Sequence, residues 1–433
     1  MPGRFEPEHE AYLLRKATSS SWSTDHKLLI QVIAENERTN DQMQELRRAF
    51  LKKFKKCPIE TVQGATNLPH QLKYSWALVA TLLTREEFAA LSLYRAVPSL
   101  ARDERGMIQI LAHSTNEELE HIKKTFMRMY SKTLGHEMMD NFRHGDEREF
   151  FLALINAHRN HVDVAAAQDE IDQDVEGLYT ASQGGWSSSW LVKTSGFVHI
   201  ITKHDNEYVA ALNQAYAHAY GETLQRAMEK KIPHSALTKG ISAMVMDRAE
   251  YFASELNRAI SGVVTDSDTL TRIIATQRHT MPDICHSYMT KYGVSLRWHL
   301  EQQHAIKGTQ YGKVLLSLLK VAEATGQGVP KWSSTPQDSA QPSVWPPTPQ
   351  DSAQPSVRPP TPQDSVQPSV RPTPQDSVQP SEQPPTPQDS AQPSKQPPTL
   401  VLSESLSESL DSPSCMPSPG TLLPMPLILP QKL

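Results

Sequence analysis

Ile108-Gln109-Ile110-Leu111-Ala112 begins an apolar stretch that the chain contains four times in variant form. The other copies begin at Ile30, Val198 and Thr271, so successive starts are 78, 90 and 73 residues apart. Apolar residues in and after each copy recur with the 3.6-residue spacing of a helix that buries one face. A unit that recurs in this way indicates stacked helical modules that share one continuous core.

Other features recur in register with this stretch. Each copy follows a helix that closes on leucine and, three residues later, alanine, as in Leu93-Tyr94-Arg95-Ala96. Each copy precedes two aromatic residues four positions apart, which places both on one helix face. These pairs are Phe50/Phe54, Phe126/Tyr130, Tyr216/Tyr220 and Tyr288/Tyr292. A short helix and a last apolar helix complete each unit, and strand periodicity is absent. The sequence therefore predicts an all-α fold of four repeats with five helices each.

The repeats are expected at residues 8–83, 84–160, 161–247 and 248–323. The third range opens with an Ala- and Asp-rich segment, Asn160 to Asp174, which reads as a linker. The first repeat carries an insertion around Ala65 to Pro69.

Beyond residue 330 the composition changes, because 25 of the 33 prolines lie there. A nine-residue motif, Thr-Pro-Gln-Asp-Ser-(Ala/Val)-Gln-Pro-Ser, recurs about every 13 residues, with few large apolar residues. Such a segment cannot bury enough surface to offset ordering, so residues 331–433 are expected to form a disordered tail. Its Thr-Pro steps predict phosphorylation by proline-directed kinases at Thr335, Thr348, Thr361, Thr373 and Thr386. Its prolines predict contact with domains that bind Pro-rich motifs in aromatic grooves, or else a plain spacer.

Composition excludes several classes of function. The net charge is −5, and the near-neutral first 330 residues lack the basic excess of a nucleic-acid binder. No apolar run approaches the ~20 residues that span a bilayer. No signal peptide is visible, so we expect a cytoplasmic protein, peripheral at a membrane or the cytoskeleton, and not one secreted by a signal peptide. No nucleophile, phosphate loop or paired-carboxylate arrangement is identifiable, so no enzyme is expected.

With these motifs in place, residues 8–323 resemble the annexin family, which includes the alpha-giardins of flagellated protists. The most specific parts are the Leu-x-(Arg/Lys)-Ala helix endings, the Thr265-to-Leu270 helix start, the aromatic spacing and Trp186. The resemblance implies a curved disc. Its convex face would carry the loops between helices one and two and between helices four and five of each repeat. It also implies that this face binds calcium and then anionic phospholipid.

The family's calcium pattern is Gly-x-Gly-Thr plus an acid about 39 residues later, and here it is degenerate. The position of the acid holds Gln63, Asn141, Lys231 and His304 in repeats one to four. Most loop glycines are also missing. Calcium prefers six to eight oxygen ligands, usually with a carboxylate. We therefore expect calcium-dependent phospholipid binding to be weakened or partly lost. The best remnant is Gly262, Val264, Thr265 and Asp266, although Asp266 is equally explained as a helix cap.

Other residues are candidates for membrane contact. Trp22 and Trp186 lie in loops that the resemblance places on the convex face, and indole favours the bilayer interface. Lys52, Lys53, Lys55 and Lys56 form a basic run suited to an anionic surface, or a solvated helix face. The sequence thus predicts annexin-like peripheral binding to anionic phospholipid membranes. The alternative is a cytoskeleton-associated structural protein of giardin type that binds filaments.

Overall fold

The computed structural model describes residues 5–19, 24–35, 39–98, 102–143, 145–156, 158–182 and 189–325. These residues form twenty α-helices, in four successive sets of five. The first set is α1 (Pro7–Thr18), α2 (His26–Ile30), α3 (Asn40–Phe54), α4 (Pro58–Ala65) and α5 (Leu72–Leu82). The second set is α6 (Arg85–Ala96), α7 (Glu104–Leu111), α8 (Asn116–Tyr130), α9 (Leu134–Asn141) and α10 (Asp146–Asn156).

The second half of the described chain continues the pattern. The third set is α11 (Gln168–Ser182), α12 (Ser189–Lys203), α13 (Asn206–Tyr220), α14 (Leu224–Lys231) and α15 (Ala236–Met244). The fourth set is α16 (Arg248–Ser261), α17 (Ser267–Thr276), α18 (Met281–Tyr292), α19 (Leu296–Gln302) and α20 (Gln310–Thr325). A π-helical turn, Gln31–Glu35, extends α2, and 3-10 turns precede α5 and α18. The all-α fold of four repeats is confirmed. The repeat boundaries stay a prediction, and the predicted tail, residues 331–433, lies outside the described residues.

One expectation about the third repeat was wrong. The segment from Asn160 to Asp174 reads as a linker, but α11 already begins at Gln168. Ile171, Val175 and Leu178 are buried, at the spacing of one helix face. Packing of this apolar stripe outweighs the weak local signal of the Ala- and Asp-rich composition.

The first and third helices of each repeat pack on one another through the recurring apolar positions. The leucines near the ends of the first helices, Leu14, Leu93, Leu178 and Leu256, are all fully buried. The two rings of each aromatic pair pack against one another on the third helix, tilted and with centroids 4.8 to 5.0 Å apart. The repeated motif is therefore the core of each repeat.

Polar contacts join the repeats. Glu118 on α8 accepts from Arg85 at 2.8 Å, from Arg248 at 3.2 Å and from His279 at 3.0 Å. Burial alone would raise its pKa, but His279, Arg248 and Arg85 outweigh burial and hold the pKa far below the usual range. Arg272 on α17 likewise pairs with Asp103 at 2.8 Å, which ties repeat four to repeat two.

Among the residues that the structure describes, no helix is both long enough and apolar enough to cross a bilayer.

Candidate functional site

The loop between α16 and α17 contains the four residues singled out as a calcium remnant. Gly262 directly follows α16 and has φ −66° and ψ 160°, a conformation that any residue can adopt. After it, Val263 is fully exposed and Val264 is 80% exposed. Thr265 and Asp266 then lead into α17, and the Asp266 N–H donates to the Ala259 carbonyl at 2.9 Å. A hydrogen bond thus holds the end of the loop next to α17, and two adjacent valine side chains are exposed to solvent.

The Asp266 carboxylate has partners on both oxygens. Oδ1 accepts from the N–H of Thr269 at 3.0 Å, which caps α17, and Oδ2 lies 3.7 Å from the guanidinium of Arg258. The same device caps α2 through Asp25 and α7 through Asp103. A calcium ion would therefore compete with a backbone donor and with a cation for this carboxylate.

The position of the distant acid is no more favourable to calcium in repeats one, three and four. In repeat four it holds His304, an exposed imidazole in the connection between α19 and α20. In repeat three it holds Lys231, which ends α14. In repeat one it holds Gln63, and the adjacent loops are joined directly because Thr24 Oγ1 donates to the Ala65 carbonyl at 2.7 Å. One carboxylate that is already engaged does not fit the ligand set of an ordinary calcium site.

Repeat two places a side-chain cation between its loops. Arg102, which stands where the family pattern has threonine, donates from Nη2 to the carbonyl of Asn141 at 2.9 Å. Its Nη1 lies 3.5 Å from Glu147, and its guanidinium lies over the ring of Phe142 at 3.7 Å. Burial raises the pKa of Glu147 despite this arginine. The guanidinium therefore links the loop before α7 to the position where the distant acid would stand.

Contacts between the loops place several of them side by side. Besides the contact from Thr24 to Ala65, the Lys73 Nζ donates to the Ala305 carbonyl at 3.4 Å. The hydroxyl of Tyr311 donates to the Ser267 carbonyl at 3.0 Å. The α19–α20 connection of repeat four therefore contacts α5 of repeat one, and α20 contacts the start of α17, three residues beyond Val264.

The four lysines lie elsewhere. Lys52, Lys53, Lys55 and Lys56 are exposed around the end of α3, just before α4 begins. None forms an ion pair within the described residues, although the ammonium of Lys53 lies 5.7 Å from the ring centroid of Tyr12. The Thr24 contact is at the opposite, carboxyl end of α4, an eight-residue helix about 12 Å long. The structure thus does not bring these lysines to the loops of their own repeat.

Among the exposed apolar residues that the sequence analysis did not single out, Val263 and Leu68 lie in connections between helices. Val263 follows Gly262 directly, and Leu68, half exposed, lies in the connection between α4 and α5. The available signal was a pair of valines between a helix end and an aspartate cap, where a loop is usually polar. Trp22, Trp186 and the tail threonines lie outside the described residues.

Comparison with known proteins agrees with the fold and the repeat pattern. The Annexin family model matches residues 87–154. Mouse (Mus musculus) annexin A13 is 26% identical over 319 residues, which cover 73% of this chain and 95% of that protein. The structure of a K16A mutant of annexin A8 matches with a TM-score of 0.61 at 22% identity, over 74% of this chain and 96% of that one.

A giardin has the same fold. The calcium-bound structure of alpha-14 giardin matches with a TM-score of 0.55 at 16% identity, over 72% of this chain and 99% of that one. Three observations agree with one another. The described residues form four repeats of five helices, the family model matches the second repeat, and similarity extends along nearly the whole length of annexin A13. The chain has the annexin fold and is similar to annexins in sequence.

Proposed function

We propose that this protein binds anionic phospholipid membranes peripherally, through the loops around Val263 and Val264, with a weakened dependence on calcium. The observation that carries the proposal is the exposure of these two adjacent valines in a loop of repeat four that the Asp266–Ala259 hydrogen bond tethers. Apolar side chains held in water at the tip of a tethered loop gain free energy when they enter the acyl boundary of a bilayer. Each valine that is fully buried contributes about 1.5 kcal/mol.

Weakened calcium dependence rests on the repeat-two arginine and the repeat-four carboxylate. Arg102 supplies a fixed positive charge between the two loops of its repeat. Asp266 is engaged in capping α17. Gly262, Val264, Thr265 and Asp266 therefore remain candidates only for a weak calcium site.

The remaining membrane contacts stay proposals. By the resemblance to annexins, Trp22 and Trp186 would add interfacial indoles. Lys52, Lys53, Lys55 and Lys56, at the other end of α4, would meet an anionic surface only in a second orientation of the protein. In the tail, the five Thr-Pro threonines remain candidate phosphorylation sites, and Pro-rich-motif domains remain candidate partners.

Co-sedimentation with vesicles of phosphatidylserine and phosphatidylcholine tests the proposal, using the full chain with calcium and then with chelator. We expect pelleting in both conditions. The variant Val263→Asp/Val264→Asp should bind at least about tenfold more weakly, because two apolar contacts are lost and two like charges face the lipid. Met127→Asp is the matched control, since Met127 is a half-exposed apolar residue on α8, and it should bind as the wild type does.

Three outcomes would contradict parts of this proposal. Pelleting only with calcium would show that calcium dependence is intact. An equal loss of vesicle binding in the valine variant and in the Met127 control would show that the loop does not contact the membrane. Pelleting in neither condition would favour the alternative, a giardin-type structural protein that binds cytoskeletal filaments. The likeness to the fold of alpha-14 giardin keeps that alternative open, and co-sedimentation with filaments tests it.

A further inference from the structure

Glu170, Asp174 and His204 meet at the start of the third repeat. Glu170 and Asp174 lie one turn apart on α11, so their carboxylates share a helix face. His204 follows the end of α12, and one ligand atom from each of the three residues lies within 4.8 Å of the others. The closest approach is 3.2 Å, between His204 Nε2 and a Glu170 oxygen.

The imidazole of His204 is already held in place. Its side chain is 3% exposed, and its ring packs on that of Tyr208 with centroids 4.1 Å apart. The backbone on both sides is fixed by Asn160, whose N–H donates to Lys203 and whose carbonyl accepts from Asp205. Within the described residues, Nδ1 of His204 has no hydrogen-bond partner. The other ring nitrogen, Nε2, faces the Glu170 carboxylate, so the cluster joins a buried imidazole to two carboxylates and is more than a surface group of acids.

The groups around the cluster prepare it for a cation. Tyr208 donates its hydroxyl to Asp174 Oδ2 at 2.8 Å, which orients that carboxylate. The Lys203 ammonium pairs with the same Glu170 oxygen that faces His204, which orients that carboxylate. Lys203 is itself more than one-third exposed, so its ammonium can turn into solvent when another cation takes its place.

From this geometry we propose that Glu170, Asp174 and His204 bind a zinc-class transition-metal dication, with water at the remaining position. Imidazole suits zinc, copper, nickel and iron, whereas calcium and magnesium prefer oxygen ligands alone. Two ligands of a tetrahedral zinc ion, each about 2.1 Å from it, lie about 3.4 Å apart. The His204 and Glu170 atoms already have about this separation, and the Asp174 atom lies within 4.8 Å of both, so a small rotation of its side chain completes the set. This site is separate from the proposed membrane loops.

Cobalt and zinc are the probes. The full chain, stripped of metal with a chelator, is titrated with Co²⁺ while its visible absorption is recorded, and Zn²⁺ is then added to displace the cobalt. We expect one site with the spectrum of four- or five-coordinate cobalt. His204→Gln and Glu170→Gln should each weaken the binding by at least about 100-fold, and Tyr208→Phe by about tenfold through loss of the outer hydrogen bond.

His161→Gln is the matched control. His161, the neighbour of Asn160 in the Asn160–His204 bridge, belongs to a second, largely exposed group with Asp205 and Glu207. The His161→Gln variant should leave cobalt binding unchanged. Circular dichroism of each variant without metal reports folding. Glu170→Gln changes a partly exposed side chain, so it keeps the test valid if His204→Gln fails to fold. Wild-type affinity in a folded Glu170→Gln variant, or loss of binding in His161→Gln instead, would overturn the proposal. Neither result depends on lipid.

Discussion

Lys55 adopts a left-handed backbone conformation, with φ 54° and ψ 29°, directly after α3. The residues that follow the third helices of the other repeats have the same conformation, and they are Ser131, Gly221 and Gly293. Glycine adopts these angles without strain, whereas a side chain costs about 1–2 kcal/mol. Repeats three and four thus use the unstrained residue, and repeat one carries a lysine at a conformational cost.

Lys55→Gly should therefore stabilise the protein by about 0.5–1 kcal/mol, because the relief of strain exceeds the added chain entropy of glycine in the unfolded state. Ser131→Gly is the matched variant and should give a similar gain. Urea unfolding measures both. A loss of stability in Lys55→Gly alone would show that the Lys55 side chain contributes more than its strain removes.

At the scale of the element, three second helices start in the same way. Asp25, Asp103 and Asp266 each cap a helix with the side chain and donate a backbone N–H to the carbonyl of an alanine in the last turn of the preceding helix. The cap satisfies a free N–H of the helix and places a negative charge at its positive end. The loop is short and ordered because both of these contacts fix its end.

Two substitutions of Asp266 distinguish what its helix cap contributes to stability from what its negative charge contributes. Asp266→Ala should lower the free energy of unfolding by about 1 kcal/mol, because the N–H of Thr269 loses its acceptor. Asp266→Asn keeps an acceptor oxygen and should cost only a few tenths of a kcal/mol. Urea unfolding without calcium measures both changes. Equal losses in the two variants would mean that the negative charge, facing Arg258, matters more than the cap.

At the scale of the whole molecule, ion pairs fasten the repeats to one another. Glu118 occupies the third position of α8, where its side chain also accepts from the N–H of Thr115 in a capping box. Glu87 has the same position in α6, and it pairs with Arg47 at 2.6 Å. Each of these glutamates therefore serves its own helix and a neighbouring repeat.

Glu118→Gln should lower the free energy of unfolding at pH 7 by about 3 kcal/mol or more. The glutamine keeps the capping box but leaves Arg85 and Arg248 without their carboxylate. The folded pKa of Glu118 is depressed, so its stabilising effect is present above the ordinary pKa and is lost as pH falls below about 4.5. The difference in free energy of unfolding between wild type and variant should thus become smaller as the pH falls below about 5.

Glu120→Gln is the control on the same helix, because within the described residues Glu120 has one ion pair, with the partly exposed Lys123 at 2.5 Å. A surface pair of this kind contributes at most about 1 kcal/mol. Urea unfolding at several pH values compares the two variants. A gap between wild type and Glu118→Gln that does not change with pH would contradict the assignment of this stability to the Glu118 charge.

The fold was far more predictable than the site. Ile108, Phe126 and Leu134 are buried, as their spacing predicts, because each repeat needs the same apolar contacts wherever it lies in the stack. The loops of the candidate site could be predicted only by noting where they depart from the family's calcium-binding pattern. The sequence indicated that His304 and Asn141 cannot replace a carboxylate, but not that Arg102 would reach the carbonyl of Asn141.

The sequence by itself determined the all-α class, the four repeats, the core positions and the change of composition beyond residue 330. Helical periodicity, caps and apolar spacing are local, so they can be read from neighbouring residues. Only the tertiary structure decided which loops adjoin one another, that Val263 and Val264 stand in water, and that Glu170 and Asp174 meet His204. These depend on side chains about 30 to 240 residues apart, whose distances are set by how the helices pack and not by sequence spacing.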